Sequence, residues 1–244
     1  MNRHKLIENL GIVIAAGGSG TRFSLSTLVN DSKLLTPVKL TNNNYNHTKI
    51  PLFLYSILEF STVCSAENMV LVIKKEDEKK FMEALDNYLP AFNPLITYGG
   101  ATRMHSVYNG LSALKQNIKY VAVHDAARPF ATKELLLKCL SKAKKYEAGA
   151  IPAKKIINTV KLSDEKGFVQ KTLNRDLLWS IETPQVFPLN ILIQAYKTAF
   201  TDEISVTDDS GIMEHSGFKP ILVEHSENNK KITFKYDLEN NSIG

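Results

Sequence analysis

Gly11-Ile12-Val13-Ile14-Ala15-Ala16-Gly17-Gly18-Ser19-Gly20-Thr21-Arg22 decides the fold. The first half reads as a buried strand. The second half is a glycine-rich turn that closes on an arginine. Glycines let a backbone approach a polyphosphate closely, and successive N–H groups in such a turn form a concavity that holds anions. The Arg22 guanidinium adds a fixed charge and a planar fork of donors suited to phosphate oxygens. A nucleoside triphosphate is the first ligand this stretch suggests.

Two familiar phosphate loops do not fit. A Walker A loop needs Lys then Ser or Thr after its last glycine, and here Thr21-Arg22 follow. The dinucleotide fingerprint needs a third glycine, which Gly18-x-Gly20 lacks. The pattern A-G-G-S-G-T-R instead resembles the signature loop of nucleotidyltransferases that move a nucleoside monophosphate onto a phosphorylated acceptor.

Working outward, apolar runs alternate with helical patterns, which implies an α/β fold around a mainly parallel sheet. Strands are expected at 11–16, 69–74, 94–97 and 120–123, and helices at 51–60, 76–89, 103–114 and 133–146, the last capped by Thr132. From about Ile151 the texture becomes β-branched, with a strong turn at Ser163-Asp164-Glu165-Lys166-Gly167 and an extended stretch at 168–173. This reads as a hairpin-like β-arm over about 151–175. Helices return at 189–200 and 208–215, followed by short strands at 220–224 and 231–234. The polar segment 30–48 reads as a loop excursion. With 244 residues and no evident linker, one domain over 1–244 is expected.

Composition narrows the partners. A net charge of +5 favours anionic ligands, but the 30 basic and 25 acidic residues are interspersed, so no nucleic-acid surface is implied. Two cysteines, Cys64 and Cys139, are too few for a disulfide scaffold or zinc site and read as buried thiols. No apolar stretch approaches a membrane span, and no cleavage pattern follows the basic start. The expected compartment is the cytoplasm. No ligand spacing joins His47 or His215 to the cysteines.

Four further strings sharpen the picture. They are Gly99-Gly100-Ala101-Thr102-Arg103-Met104-His105-Ser106-Val107, then Val123-His124-Asp125-Ala126-Ala127-Arg128-Pro129, then Glu182-Thr183-Pro184-Gln185-Val186-Phe187, and finally Thr207-Asp208-Asp209 with Asn229-Lys230-Lys231-Ile232-Thr233 and Asp237-Leu238. In this order, from about Gly11 to Leu238, the chain resembles the 2-C-methyl-D-erythritol 4-phosphate cytidylyltransferases of the non-mevalonate isoprenoid pathway. The resemblance implies a Rossmann-like nucleotidyltransferase fold with a protruding β-arm. It also implies transfer of CMP from CTP to that acceptor, with release of pyrophosphate.

The same resemblance implies catalytic roles for Arg22, Lys33 and Lys231 on the phosphates. Ala15, Ala16, Gly17, Gly18, Gly100 and Ser106 would hold CTP, and Asp125, Arg128, Thr159, Arg175 and Thr183 the acceptor. Thr159 and Arg175 belong to the arm and would serve a neighbouring subunit in a homodimer. Mg²⁺ would bridge CTP phosphate oxygens, largely through water, with no protein ligand assigned. The competitor of Lys231 is Lys230, which strand alternation would send to the opposite face.

Departures from the family pattern are specific. The step usually written Pro-Lys-Gln reads Ser32-Lys33-Leu34-Leu35 after a longer loop, which leaves Lys39 as a substitute for Lys33. Ala101 stands where an acidic residue is frequent, and Asn158-Thr159 replaces Asp-Thr. Two alternatives stay open at this point. One is a cytidylyltransferase for ribitol 5-phosphate or another polyol phosphate, against which Ala127 argues. The other is a nucleotide sensor without turnover.

Overall fold

A computed structural model of the chain describes residues 6–17, 32–40, 49–234 and 236–239. Strand β1 (Leu10–Ala15) is followed by a short antiparallel pair, β2 (Pro37–Val38) and β3 (Ile50–Pro51), which leads into helix α1 (Leu52–Phe60). Strands and helices then alternate: β4 (Met69–Ile73), α2 (Glu78–Tyr88), β5 (Leu95–Tyr98), α3 (Arg103–Ser112), β6 (Tyr120–Asp125) and α4 (Lys133–Tyr146). The second half is mostly extended, with β7 (Ala150–Lys155), β8 (Lys161–Ser163), β9 (Val169–Thr172), β10 (Trp179–Ile181) and β11 (Gln185–Pro188). Helices α5 (Leu189–Thr201) and α6 (Asp209–His215), strand β12 (Ile221–Glu224) and the short helix α7 (Tyr236–Glu239) follow.

The main sheet has the order β10-β7-β11-β6-β1-β4-β5, with β12 beside β7. β1 sits between two parallel neighbours, β4 and β6, and β5 extends that parallel half. β11 enters antiparallel between β6 and β7. This is the mixed sheet with a parallel core that the alternating pattern implies.

Both faces are covered, because the central strands are apolar on both sides. Ile12, Ile14, Leu71 and Ala122 pack with Phe53, Phe60 and Phe81, while Val13, Val72 and Val123 face Val107, Leu192 and Tyr196. The strand period of two therefore distributes β1 between two cores, one under α1, α2 and α4, the other under α3, α5 and α6. Cys64 and Cys139 are free and buried, and burial pushes each thiol up to about 12. No described helix is long and apolar enough to cross a membrane.

The stretch read as an arm from Ile151 divides in two. β7 belongs to the main sheet, with Ile151 and Ala153 buried. Only β8 and β9 form a separate antiparallel pair, and both are exposed along their whole length. β10 and β11 were not expected. Prolines 184 and 188 bracket β11 and read as loop punctuation, although they fall at its ends, where the ladder tolerates them. The expected strand at 231–234 is irregular. Its N–H groups go to the Ala127 carbonyl and to Asp237 Oδ2 rather than to a neighbouring strand.

Gly110 lets α3 lie flat on the sheet. A Cβ there would sit 2.5 Å from Val13 Cγ1 and 2.8 Å from Val72 Cγ2. Both neighbours are β-branched side chains on central strands, which cannot swing aside. An alanine gains about 1 kcal/mol of helix propensity. Overpacking costs about 1–3 kcal/mol and wins. Gly110→Ala is therefore expected to lower unfolding stability by up to about 2 kcal/mol, read as a lower urea midpoint at unchanged slope.

Candidate functional site

The parallel strands β1, β4, β5 and β6 end at one edge, where open α/β sheets place their ligands. The register sets Ala15 directly beside Asp125, so the start of the glycine turn abuts the H-D-A-A-R-P string. β11 runs the other way, and the residues that precede it, Glu182 and Thr183, therefore arrive at this same edge. β7 and β12 run parallel to each other and end beside it, delivering Lys154 and, just past β12, His225.

The two glycine segments meet here. Gly99 N–H donates to the Ile73 carbonyl (2.8 Å), and Ala16 N–H to the Val72 carbonyl (2.8 Å). A Cβ on Gly17 would lie only 3.7 Å from Gly99 Cα. Gly100 N–H donates to Ser106 Oγ (3.0 Å), which itself donates to the Thr102 carbonyl (2.9 Å). Ser106 thus shapes the turn before α3 and keeps one lone pair for a ligand. Of the residues expected to hold CTP, Ala15, Ala16, Gly17, Gly100 and Ser106 come together at this edge. Gly18 lies outside the described residues, as does Arg22.

Asp125 is the electrostatic centre. Lys231 Nζ lies 2.6 Å from its Oδ2, and Arg103 Nη2 lies 3.4 Å from its Oδ1. Burial alone would raise its pKa, but Arg103 and Lys231 overcome this and hold the carboxyl well below the ordinary range. Lys230 turns to Asp237 at 2.8 Å, so it is Lys231 that reaches the cluster. Lys33 Nζ donates to the Ile232 carbonyl (2.8 Å), next to Lys231 in sequence. Both lysines thereby meet the segment 229–232.

Behind Asp125 the scaffold is buried and bonded. Asp125 N–H donates to Thr183 Oγ1 (3.1 Å). The fully buried His124 ring has Thr183 Oγ1 at 3.1 Å from Nδ1 and Ser56 Oγ at 3.0 Å from Nε2. Burial pushes this imidazole down to about 3, so it is neutral. Asn229 Nδ2 donates to the Thr183 carbonyl (2.8 Å), and Arg128 Nη1 donates to the Asn229 carbonyl (2.9 Å). Glu182 faces two cations, Lys154 at 3.7 Å and Arg128 at 4.0 Å, with the His225 ring, whose pKa burial pushes down, at 3.3 Å.

Thr159 and Arg175 are exposed, and Arg175 Nη1 donates to the Ile157 carbonyl (2.6 Å) within the arm. Among the described residues, no hydrogen bond or ion pair joins either to the Asp125 cluster. Sequence reasoning gave no role to Arg103, His124, Glu182, Asp209 or Asn229. All five stand inside the quoted strings, which is the signal that was there to use. The pairing of Arg103 with Asp209 at 2.8 Å spans 106 residues of sequence and has no local signal.

Residues 10–243 match the family model for IspD, 2-C-methyl-D-erythritol 4-phosphate cytidylyltransferase. The chain is 35% identical over 236 residues to the protein of that name from Caldanaerobacter subterraneus, covering 94% of this chain and 96% of the relative. It is 36% identical over 232 residues to that of Clostridium novyi, covering 95% and 94%. The crystal structure of the Francisella tularensis 2-C-methyl-D-erythritol 4-phosphate cytidylyltransferase superposes with a TM-score of 0.74 at 28% identity, covering 96% of this chain and 99% of that one.

His124 makes stability depend on pH. Folded, the ring resists protonation until about 3, whereas an unperturbed histidine takes a proton near 6.5. Below 6.5 the unfolded chain binds more protons, so acid favours unfolding, by about 1.4 kcal/mol per pH unit for a single such group. Urea midpoints measured from pH 7 down to pH 4.5 are expected to fall steadily. His124→Gln is expected to flatten that slope while lowering stability at pH 7.

Proposed function

The chain belongs to the 2-C-methyl-D-erythritol 4-phosphate cytidylyltransferase family, and we propose that the strand edge around Asp125 is where it transfers CMP from CTP to that acceptor. The products are 4-diphosphocytidyl-2-C-methyl-D-erythritol and pyrophosphate, in isoprenoid precursor synthesis. One observation supports this placement above the others. The glycine-turn strand, the acidic anchor and a cation from the C-terminal segment converge, with Ala15 in register with Asp125 and Lys231 Nζ at 2.6 Å from it.

A phosphomonoester oxygen of the acceptor attacks the α-phosphorus of CTP in line, and pyrophosphate leaves. No protein nucleophile is needed, because the acceptor phosphate is already ionised. Two polyanions must be held together against repulsion, so the work is positioning and charge stabilisation. On this reading Arg22, Lys33 and Lys231 neutralise the phosphates. Backbone groups of Ala15, Ala16, Gly17, Gly18 and Gly100, with Ser106, read the nucleotide. Asp125, Arg128 and Thr183 bind the acceptor, and Lys33 is steadied from the C-terminal segment in place of the absent proline.

This family typically uses a divalent metal. Mg²⁺ is the ion proposed here, and it would supply charge neutralisation on the triphosphate. The donor set fits an ion carried by phosphate oxygens. Asp125 and Asp209 already face Arg103, Lys231 and Tyr196, and no His, Cys, Asp and Glu cluster of three occurs among the described residues.

The chain is read as one nucleotidyltransferase domain whose β8–β9 arm makes a homodimer. Ile157, Phe168, Val169 and Leu177 are 83%, 71%, 62% and 77% exposed, an apolar surface that a second copy would cover. Thr159 and Arg175 would then complete the partner's acceptor site. The proposed compartment is the cytoplasm, which suits two free buried thiols.

Pyrophosphate release is expected to require CTP, and to be far faster with 2-C-methyl-D-erythritol 4-phosphate than with ribitol 5-phosphate; equal rates would overturn the acceptor assignment. Lys231→Ala is expected to lower kcat by about 10²–10³, the loss typical of one charge-stabilising donor. The double substitution Ile157→Glu with Leu177→Glu is expected to give a folded monomer by sedimentation, with activity lost alongside the dimer.

A further inference from the structure

Arg103 opens α3 and points into the cleft with no role assigned to it. Its Nη2 lies 2.8 Å from Asp209 Oδ2 and 3.4 Å from Asp125 Oδ1. Asp209 is fully buried, and its second oxygen accepts the Tyr196 hydroxyl at 2.5 Å. Asp209 stands at the start of α6 and Tyr196 on α5, both packed in the second core. One continuous chain of charge-assisted bonds thus runs from Tyr196 through Asp209 and Arg103 to Asp125 and Lys231.

The two ends of this chain differ in firmness. Arg103 is anchored on packed helices. Lys231 sits on an irregular segment and is 38% exposed. The charged groups around the Asp125 carboxylate are Arg103 from α3, Lys231 from the C-terminal segment and Arg128 from the loop after β6, with the neutral His124 beside it. If Lys231 turns to a phosphate during the reaction, Asp125 loses the cation at Oδ2. Arg103 then remains at Oδ1. A purely structural pair would need only Asp209, whose other oxygen Tyr196 already satisfies. Instead the same guanidinium nitrogen is shared with the residue at the strand end.

We infer that Arg103 is a positioning residue that, braced on Asp209 and Tyr196, holds the Asp125 carboxylate ionised and correctly turned toward the acceptor. This rests on the reading of Asp125 as an acceptor-binding group. It predicts that Arg103 acts on acceptor binding through Asp125, and leaves the nucleotide half of the site to other residues.

The test measures pyrophosphate release by the full chain with CTP and 2-C-methyl-D-erythritol 4-phosphate, each varied in turn across a pH series, for Arg103→Gln, Arg103→Lys, Tyr196→Phe and Asp125→Asn. Arg103→Gln is expected to raise the acceptor KM on the order of 10- to 100-fold, the scale of a misplaced group. The KM for CTP should change little. The acid limb of kcat/KM should move to higher pH, because Asp125 loses a cation that keeps it ionised. Arg103→Lys keeps the charge and loses the fork, so the limb should return while the acceptor KM stays raised. Tyr196→Phe should give a smaller change in the same direction.

Outcomes separate the two readings. If Asp125→Asn leaves the acceptor KM unchanged, the acceptor site is elsewhere and both readings fail. If Asp125→Asn raises it while Arg103→Gln moves neither the KM nor the acid limb, the positioning role alone is overturned. Should Arg103→Gln not fold, Arg103→Lys decides: a raised acceptor KM supports the inference, and an unaltered one overturns it.

Discussion

The structure depends on keeping one carboxylate charged where burial would neutralise it. Asp125 ends a central strand, largely out of solvent, and desolvation is the largest single influence on it. Removing such an ion from water costs several kcal/mol unless close partners compensate. Arg103 and Lys231 provide that compensation, at 3.4 Å and 2.6 Å on its two oxygens. Everything nearby serves this arrangement. The Thr183 hydroxyl fixes the Asp125 backbone, a neutral His124 supports Thr183, and Asn229 ties Thr183 to the segment that carries Lys231.

Topology explains why these groups meet. A purely parallel sheet would bring only strand ends and the following loops to this edge. The antiparallel β11 adds the residues that precede a strand, and so Glu182 and Thr183 arrive beside Asp125. β12, returning parallel to β7, then places the chain after it within reach of Arg128 and Asp125. A second charge cluster forms around Glu182 with Arg128 and Lys154, and the His225 ring packs beside it. Carboxylates balance the cations at this edge, which is how closely spaced bases are tolerated in one cleft.

The parallel half of this fold was legible in the sequence because local signals agree with the tertiary outcome. β1 reads as a buried strand, Thr132 caps α4 through its hydroxyl, and glycines end the strands. The antiparallel half was hidden. β11 is four residues that follow Pro184 and end on Pro188, and its identity comes from pairing with β6 and not from its own pattern. Strand alternation only sets Lys231 and Lys230 on opposite faces, and the family resemblance favours Lys231; the segment is irregular, and each lysine is placed by its carboxylate, Asp125 or Asp237. Candidate site residues at strand ends could be found from motif strings. Arg103 and Asp209 could not be paired, since ion pairs between distant segments leave no periodic trace.

The resting ion pairs also say how catalysis can begin. Lys231 is bound to Asp125 and Lys33 to a backbone carbonyl, so both lysines of the proposed phosphate site are already held by partners. A triphosphate offers each a stronger anionic partner than it has at rest. Exchange of partners then costs less than ordering two free side chains, because these contacts already restrict their conformational freedom. The charge that Asp125 gives up at one oxygen stays balanced at the other by Arg103. Preorganisation here lies in the carboxylates as much as in the cations: the acids hold the bases in place until the phosphates arrive.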